Sequence, residues 1–243
     1  MSIDSESLKD RVILITGGSR GLGAATAELL GRDGARIVVA DLAADRAEQS
    51  VSTLKDQGID ATAMALDVGD EAQVKNVIAQ VREQFGRLDA VINNAAIDIT
   101  VPIAELAGDD WERVVRTNLT GPFYVAKHAA AVMGKGGHIV NIASTASKRA
   151  WPNAAAYHAT KWGLLGLSHA LHAELRPQGI KVSAVVAGGM RTPFLLDRFS
   201  DIDPGVLQDP VNVAKTVRFV LTQPEETVIP EVMVLPMRES SWP

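Results

Sequence analysis

Eight residues, Thr16-Gly17-Gly18-Ser19-Arg20-Gly21-Leu22-Gly23, have the composition to hold a phosphate. Glycines permit a tight turn and let backbone amides approach a pyrophosphate closely. A helix starting within the run would aim its unpaired N–H groups and partial positive charge at the same anion. Taken alone, such a run also fits an ordinary strand-to-helix turn. Asp41, 24 residues beyond Gly17, adds a second feature. At the end of the next apolar run, its carboxylate can accept hydrogen bonds from both hydroxyls of an adenine ribose, and it would repel a 2′-phosphate. Asp41 therefore favours NAD over NADP. Arg20 is the opposing feature, because a guanidinium beside the ribose can pair with a 2′-phosphate. No GxxxxGK[ST] pattern follows any strand, which disfavours ATP or GTP hydrolysis.

These residues need a frame. Short β-branched runs occur at Arg11–Thr16, Ala35–Ala40, Asp60–Ala65, Asp89–Asn93, Gly137–Ile142, Lys181–Val186 and Val232–Leu235. They lack strict polar/apolar alternation, as strands covered on both faces do. Between them the spacing predicts helices over Gly21–Asp33, Ala44–Gln57, Glu71–Phe85, Asp109–Met133, Ala154–Pro177 and Val211–Leu221. Asp70 before Glu71 reads as a helix start, Gly58 and Gly134 as helix ends, and Pro177 as the close of the long helix. Strand and helix alternating in this way predict an α/β fold: a doubly wound, Rossmann-type parallel sheet with helices on both faces. No repeat or Pro/Ser-rich linker interrupts it, so residues 1–243 are read as one domain.

Composition excludes several function classes. The chain carries 24 Lys+Arg against 29 Asp+Glu, a formal net charge of −5, and 47% of its residues are hydrophobic. That acidic balance argues against a nucleic-acid binder, and the apolar content argues against disorder. No apolar run reaches the ~18–20 residues that cross a bilayer, and the polar segment Met1–Arg11 does not read as a secretory signal. There are no cysteines, so no disulfide, thiolate metal site or cysteine nucleophile can form. His169 and His172 share a helix face, but no third ligand lies near them in sequence, and no metal is expected. The expected location is the cytoplasm.

The motifs together resemble the short-chain dehydrogenases/reductases, in their compact single-domain branch, over residues 8 to 236. The family's TGxxxGxG is met by Thr16, Gly17, Gly21 and Gly23. Asp67-Val68 resembles the pair that flanks the adenine ring. Asn93-Asn94-Ala95-Ala96 resembles NNAG, with Ala96 for Gly. Ala187-Gly188-Gly189-Met190-Arg191-Thr192 resembles PGxxxT, with Ala187 for Pro. The lost proline frees a backbone angle, and a looser loop is expected there. The resemblance implies cofactor contacts at Gly17, Ser19, Arg20, Gly21 and Leu22, at Asp41 and Leu42, and at Asp67, Val68, Asn94 and Ala95. Further contacts are implied at Tyr157, Lys161, Gly188, Met190 and Thr192.

The family's active-site Asn, Ser, Tyr and Lys fall on Asn118, Ser144, Tyr157 and Lys161. Tyr157-His158-Ala159-Thr160-Lys161 supplies YxxxK, and a gap of four sets both side chains on one helix face. Hydride transfer to a carbonyl leaves developing negative charge on oxygen that must receive a proton. A phenol beside an ammonium is drawn toward the phenolate, so Tyr157 is expected to be general acid in reduction and general base in oxidation. Ser144 would hold the substrate oxygen, and Asn118 is implied to hold a water that links Lys161 to solvent.

The expected reaction is hydride transfer between a nicotinamide cofactor and a secondary alcohol or ketone. The competing readings are a non-catalytic dinucleotide sensor or scaffold of the same fold, and a sugar-nucleotide epimerase of the larger related branch. Residues 193–209, with Phe194, Leu195, Leu196 and Phe199, match the family's substrate lid. Lys148, Arg149 and Trp151 could read an anionic or aromatic substrate, or form a solvated loop. Trp111 and Trp162 read as helix packing. Small residues (Ala126, Ala129–Ala131, Gly163, Gly166) on the helices Asp109–Met133 and Ala154–Pro177 allow close helix packing, and the resemblance implies that these two helices pair between subunits, hence a homo-oligomer, expected to be a tetramer. The tail from Pro230 to Pro243 would serve that interface or wall the substrate pocket.

Overall fold

Strand β1 (Val12–Thr16) buries all five residues. Ile13 and Ile15 join a core on one side of the sheet, and Val12 and Leu14 join another on the opposite side. Burial on both faces is why this strand reads as an unbroken apolar run. The computed structural model describes residues 7–238. The N-terminal expectation for Met1–Arg11 and the tail expectation therefore fall partly outside the described residues.

After β1 come α1 (Gly21–Arg32), β2 (Arg36–Asp41), α2 (Ala44–Asp56), β3 (Ala61–Ala65), α3 (Glu71–Phe85) and β4 (Ala90–Asn93). The second half holds α4 (Gly108–Val115), α5 (Gly121–Ala130), β5 (His138–Ser144), α6 (Ala155–Leu175), β6 (Lys181–Ala187), α7 (Pro193–Leu196), α8 (Pro210–Leu221) and β7 (Glu231–Val234). Among the described residues the strands form one sheet, ordered β3-β2-β1-β4-β5-β6-β7, with every neighbouring pair parallel. The order reverses between β1 and β4, the switch point at which the loops beyond the strands part and leave a crevice. Side chains of α1, α2 and α8 fill the core on one face, and those of α3 and α5 fill the other.

Several boundaries differ from the sequence reading. The stretch expected as one helix over Asp109–Met133 is α4, one π-helical turn at Arg116–Thr120, then α5, which ends at Ala130. The wider turn contains Asn118, and such turns occur where a side chain must be placed off the regular helical register. Gly134 is not left-handed; Gly136 has φ +87°, and Gly86 (φ +73°) closes α3. The long helix stops at Leu175, before Pro177, and passes into a 3-10 turn. Strand β6 runs one residue further than expected. Ala187 pairs with Ser144 on one side and Val234 on the other, so the loosening expected from the missing proline is offset by the sheet ladder. Asp70 caps α3 as expected, accepting from the amides of Ala72 (2.9 Å) and Gln73 (3.1 Å).

Candidate active site

The carboxyl ends of β1 to β6 open into one cleft of about 850 Å³. Its first half is the glycine turn. Gly17 has φ +60°, and a Cβ there would stand 2.9 Å from the Ala95 Cα; a Cβ on Gly23 would stand 2.2 Å from the Gly17 carbonyl oxygen. The backbone passes itself too closely for any side chain. The loop after β4 clamps this turn. Asn94 Nδ2 donates to the carbonyls of Thr16 (3.0 Å) and Gly17 (2.9 Å), and Thr16 Oγ1 accepts from the amides of Asn94 and Ala95, both at 3.1 Å. Among the described residues no side chain caps the N-terminus of α1, so its first-turn amides are left for an anion.

Asp41 ends β2 and is buried. Its carboxylate accepts from Ser19 Oγ (2.5 Å) and the Ala43 amide (3.1 Å) and pairs with Arg46 at 3.7 Å. Arg20 is exposed at the rim, and Leu42 is 74% exposed. Asp67 Oδ1 accepts from the Gly69 amide at 2.8 Å, and Val68 is buried beside it. Across the cleft stand Gly188, Met190 and Thr192; a Cβ on Gly21 would come within 3.3 Å of the Thr192 Cβ. A carboxylate at one end, uncapped amides in the middle and a buried lysine at the other end fit an extended dinucleotide. All the sequence-named contacts line the cleft except Ser19, which holds Asp41 from outside it.

Ser144 ends β5, and Tyr157 and Lys161 lie on the first two turns of α6. Tyr157 is hydrogen-bonded to Ser144. Lys161 Nζ donates to the Ile142 carbonyl at 2.8 Å and stands 5.5 Å from the centre of the Tyr157 ring. Burial pushes the Tyr157 phenol up to about 12, opposed by its hydrogen bond to Ser144, and burial pulls Lys161 down to about 8. The downward shift expected for Tyr157 is therefore not what the protein's own groups produce. Desolvation of the phenol outweighs the Ser144 hydrogen bond and the Arg198 charge that favour its phenolate, and burial likewise disfavours the charged form of Lys161.

Asn118 is buried and does not line the cleft. Its Oδ1 accepts from the Ile97 amide (2.8 Å), while Nδ2 donates to the Ile97 carbonyl (2.7 Å) and to Thr160 Oγ1 (3.3 Å). The amide thus ties the loop after β4 to α6.

Other contacts at the site were not legible in the sequence. Asn93 Nδ2 donates to Asn141 Oδ1 (2.8 Å), and Asn141 Nδ2 donates to Ser168 Oγ (2.9 Å), linking β4, β5 and α6 through the core. The Trp151 amide donates to His158 Nε2 (3.2 Å), so the ring's proton sits on Nδ1, which donates to the Ala146 carbonyl (3.0 Å). His158 thereby fixes the loop between Ser144 and Tyr157. Polar residues inside otherwise apolar strands were the available signal for Asn93 and Asn141. Asp98 and Arg198 carried none, being 100 positions apart. They pair at 3.3 Å across the cleft.

The lid residues Phe194, Leu195 and Phe199 line the cleft, and the Phe194 ring lies 5.9 Å from that of Tyr157. Trp151 also lines it, but Lys148 instead pairs with Glu231 at 2.8 Å. Trp111 and Trp162 are exposed, contrary to the packing role expected of them, whereas Ala126 and Ala129 are buried in the chain's own core. His169 Nε2 lies 3.1 Å from Glu231. No described helix is long and apolar enough to cross a membrane.

Comparison with known proteins places this geometry among relatives. A family model described as short chain dehydrogenase matches residues 11–203. The chain is 37% identical over 187 residues to an uncharacterized oxidoreductase of Thermotoga maritima, covering 76% of this chain and 73% of that protein. It is 36% identical over 201 residues to the trans-4-hydroxycyclohexanecarboxylate dehydrogenase of Sinomonas cyclohexanicum, covering 80% and 78%. Among solved structures, a metagenomic short-chain oxidoreductase in complex with NADP is similar with a TM-score of 0.84 at 30% identity, covering 95% of this chain and 98% of that one.

Proposed function

The chain belongs to the short-chain dehydrogenase family and is an oxidoreductase of that family, and from that premise we propose that it interconverts a secondary alcohol and a ketone of apolar body, using NAD. The observation that carries this reading is the convergence of Ser144, Tyr157 and Lys161 on the cleft that also holds the glycine turn and Asp41. Bound there, a nicotinamide dinucleotide would exchange hydride with the substrate carbon and, when oxidised, add a positive charge beside the phenol.

In reduction, Tyr157 donates its hydroxyl proton to the carbonyl oxygen. Burial suits it to that step by keeping the phenol protonated at neutral pH. In oxidation the same oxygen takes the proton back. Ser144, hydrogen-bonded to Tyr157, donates to the substrate oxygen and sets its distance. Lys161, anchored on the Ile142 carbonyl, supplies positive charge to the phenol and a donor toward the ribose. Phe194, Leu195, Phe199 and Trp151 give the substrate apolar walls and exclude water.

NAD is proposed over NADP because Asp41 holds its carboxylate at the end of β2, fixed by Ser19 and Ala43. The NADP-bound relative and the nearby Arg20 and Arg46 make the comparison of the two cofactors the decisive measurement. A homotetramer is proposed from two separate apolar faces: Trp111, Phe123 and Trp162 on α4, α5 and α6, and Phe219 with Met233 on α8 and β7. A screen of cyclic and aryl ketones and secondary alcohols with both cofactors, read at the absorbance of the reduced nicotinamide, tests the reaction. Tight cofactor binding with no turnover of any of them would favour the sensor reading instead.

A further inference from the structure

Asp98 follows β4 and Arg198 follows α7, and the two meet over the cleft that both line. Their contact is end-on: Arg198 Nη1 reaches Asp98 Oδ2 at 3.3 Å, and that oxygen also accepts from Thr100 Oγ1 at 3.2 Å. The other oxygen, Asp98 Oδ1, and Arg198 Nε are both buried with no hydrogen-bond partner among the described residues. The Asp98 side chain is only 6% exposed. Arg198 is held in place by aromatic rings, its guanidinium carbon 4.0 Å from the centre of Phe194 and 5.7 Å from that of Phe199. Phe194 in turn neighbours Tyr157. Next to the burial that dominates, and the Ser144 hydrogen bond, Asp98 pushes the Tyr157 phenol up and Arg198 pulls it down, so both charges act at the reacting end of the cleft.

One buried acceptor and one buried donor thus stand unmatched beside an apolar chamber. A buried polar group without a partner is unfavourable, and a substrate group that matches it is selected strongly over one that does not. A substrate carboxylate would meet Asp98, and an ammonium would meet Arg198. A hydroxyl can donate to Oδ1 and accept from Nε with no charge left over. We propose that Asp98 and Arg198 form a specificity subsite that takes a neutral hydroxyl of the substrate beside the reacting carbon, so that the substrate is a hydroxy-ketone or diol with an apolar ring or chain. This rests on the proposed alcohol–ketone reaction and narrows its substrate.

The test compares reduction of 2-hydroxycyclohexanone, cyclohexanone and 4-oxocyclohexanecarboxylate by the parent, by Arg198→Met, and by the double variant Asp98→Leu/Arg198→Met. The parent is expected to prefer the hydroxy-ketone in kcat/KM by at least about tenfold over either alternative. The double variant, which removes both unmatched groups, is expected to lose most of that ratio, and Arg198→Met part of it. The comparison is a ratio between proteins, so the greater intrinsic reactivity of the hydroxy-ketone cancels. Thermal unfolding confirms that each variant is folded; Arg198→Met, which leaves the Thr100–Asp98 hydrogen bond in place, serves if the double variant is not. Preference for the carboxylate, or a ratio unchanged by the variants, overturns the subsite. Calorimetric binding of cyclohexane-1,2-diol against cyclohexanol, with NADH present, separates the two readings. If no ketone turns over but the diol binds at least about tenfold tighter, the reaction falls and the subsite stands. Equal binding removes the subsite.

Discussion

Lys161 stands one helical turn beyond Tyr157, with its nitrogen 5.5 Å from the phenol ring centre and donating a hydrogen bond to the carbonyl of Ile142 at 2.8 Å. The lysine is thus pinned to β5 while it sits behind the phenol. Both side chains are buried, and burial drives their proton affinities in opposite directions, toward a neutral phenol and a neutral amine.

Tyr157→Phe removes the proton donor while leaving the ring against Phe194. Turnover of a reducible ketone is expected to fall by about 10²–10⁴-fold, with NADH affinity changed little. Steady-state kinetics beside a fluorescence titration of NADH check this; undiminished kcat in the variant would remove Tyr157 from the mechanism.

Lys161 makes stability depend on pH. Its folded pKa, about 8, lies below the ordinary 10.5. Between those values the unfolded chain binds the proton that the folded one releases, so this group's contribution is present above the unfolded value and is lost as pH falls through about 8. Urea unfolding of the parent and of Lys161→Met at pH 7 and pH 9.5 should show the parent gaining on the variant as pH rises. The gain should be of order 1–3 kcal/mol. A constant gap would show that the ammonium is as well solvated folded as unfolded.

Asp41→Ala should relax cofactor choice. Removing the carboxylate takes away a ribose partner for NADH and a like charge facing a 2′-phosphate. The ratio of NADPH to NADH affinity is expected to rise at least about tenfold, or about 1.4 kcal/mol. Should the parent already bind NADPH more tightly, Arg20 and Arg46 outweigh Asp41.

Gly23→Ala places a methyl group 2.2 Å from the Gly17 carbonyl. The turn must open, and NADH affinity is expected to fall at least about tenfold. The same substitution at Gly58, where a Cβ has none of the described residues within 4 Å but φ is +79°, should affect stability and leave NADH binding alone.

Sedimentation at micromolar concentration should give a tetramer, and Trp162→Glu, on the exposed face of α6, should shift it to smaller species. A parent that sediments as a monomer would refute the assembly.

Much of this protein is written locally. The apolar runs that became β1, β2, β4, β5 and β6 were legible because strands covered on both faces need side chains that suit either. The glycine turn was legible because its chemistry depends on neighbours a few residues away, Asp41 because it ends the next apolar run, and YxxxK because helical periodicity alone sets Tyr157 and Lys161 on one face. What the chain could not display locally is any relation between distant segments. The closure of Asn118 on Ile97, the Asn93–Asn141–Ser168 chain and the meeting of Asp98 with Arg198 exist only once β4, β5, α6 and the lid lie side by side. The proton affinities of Tyr157 and Lys161 belong to the same class. Sequence spacing predicted a cation beside a phenol, but the depth at which the fold buries both decided which effect wins, because desolvation depends on everything packed around a charge and not on its nearest partner alone.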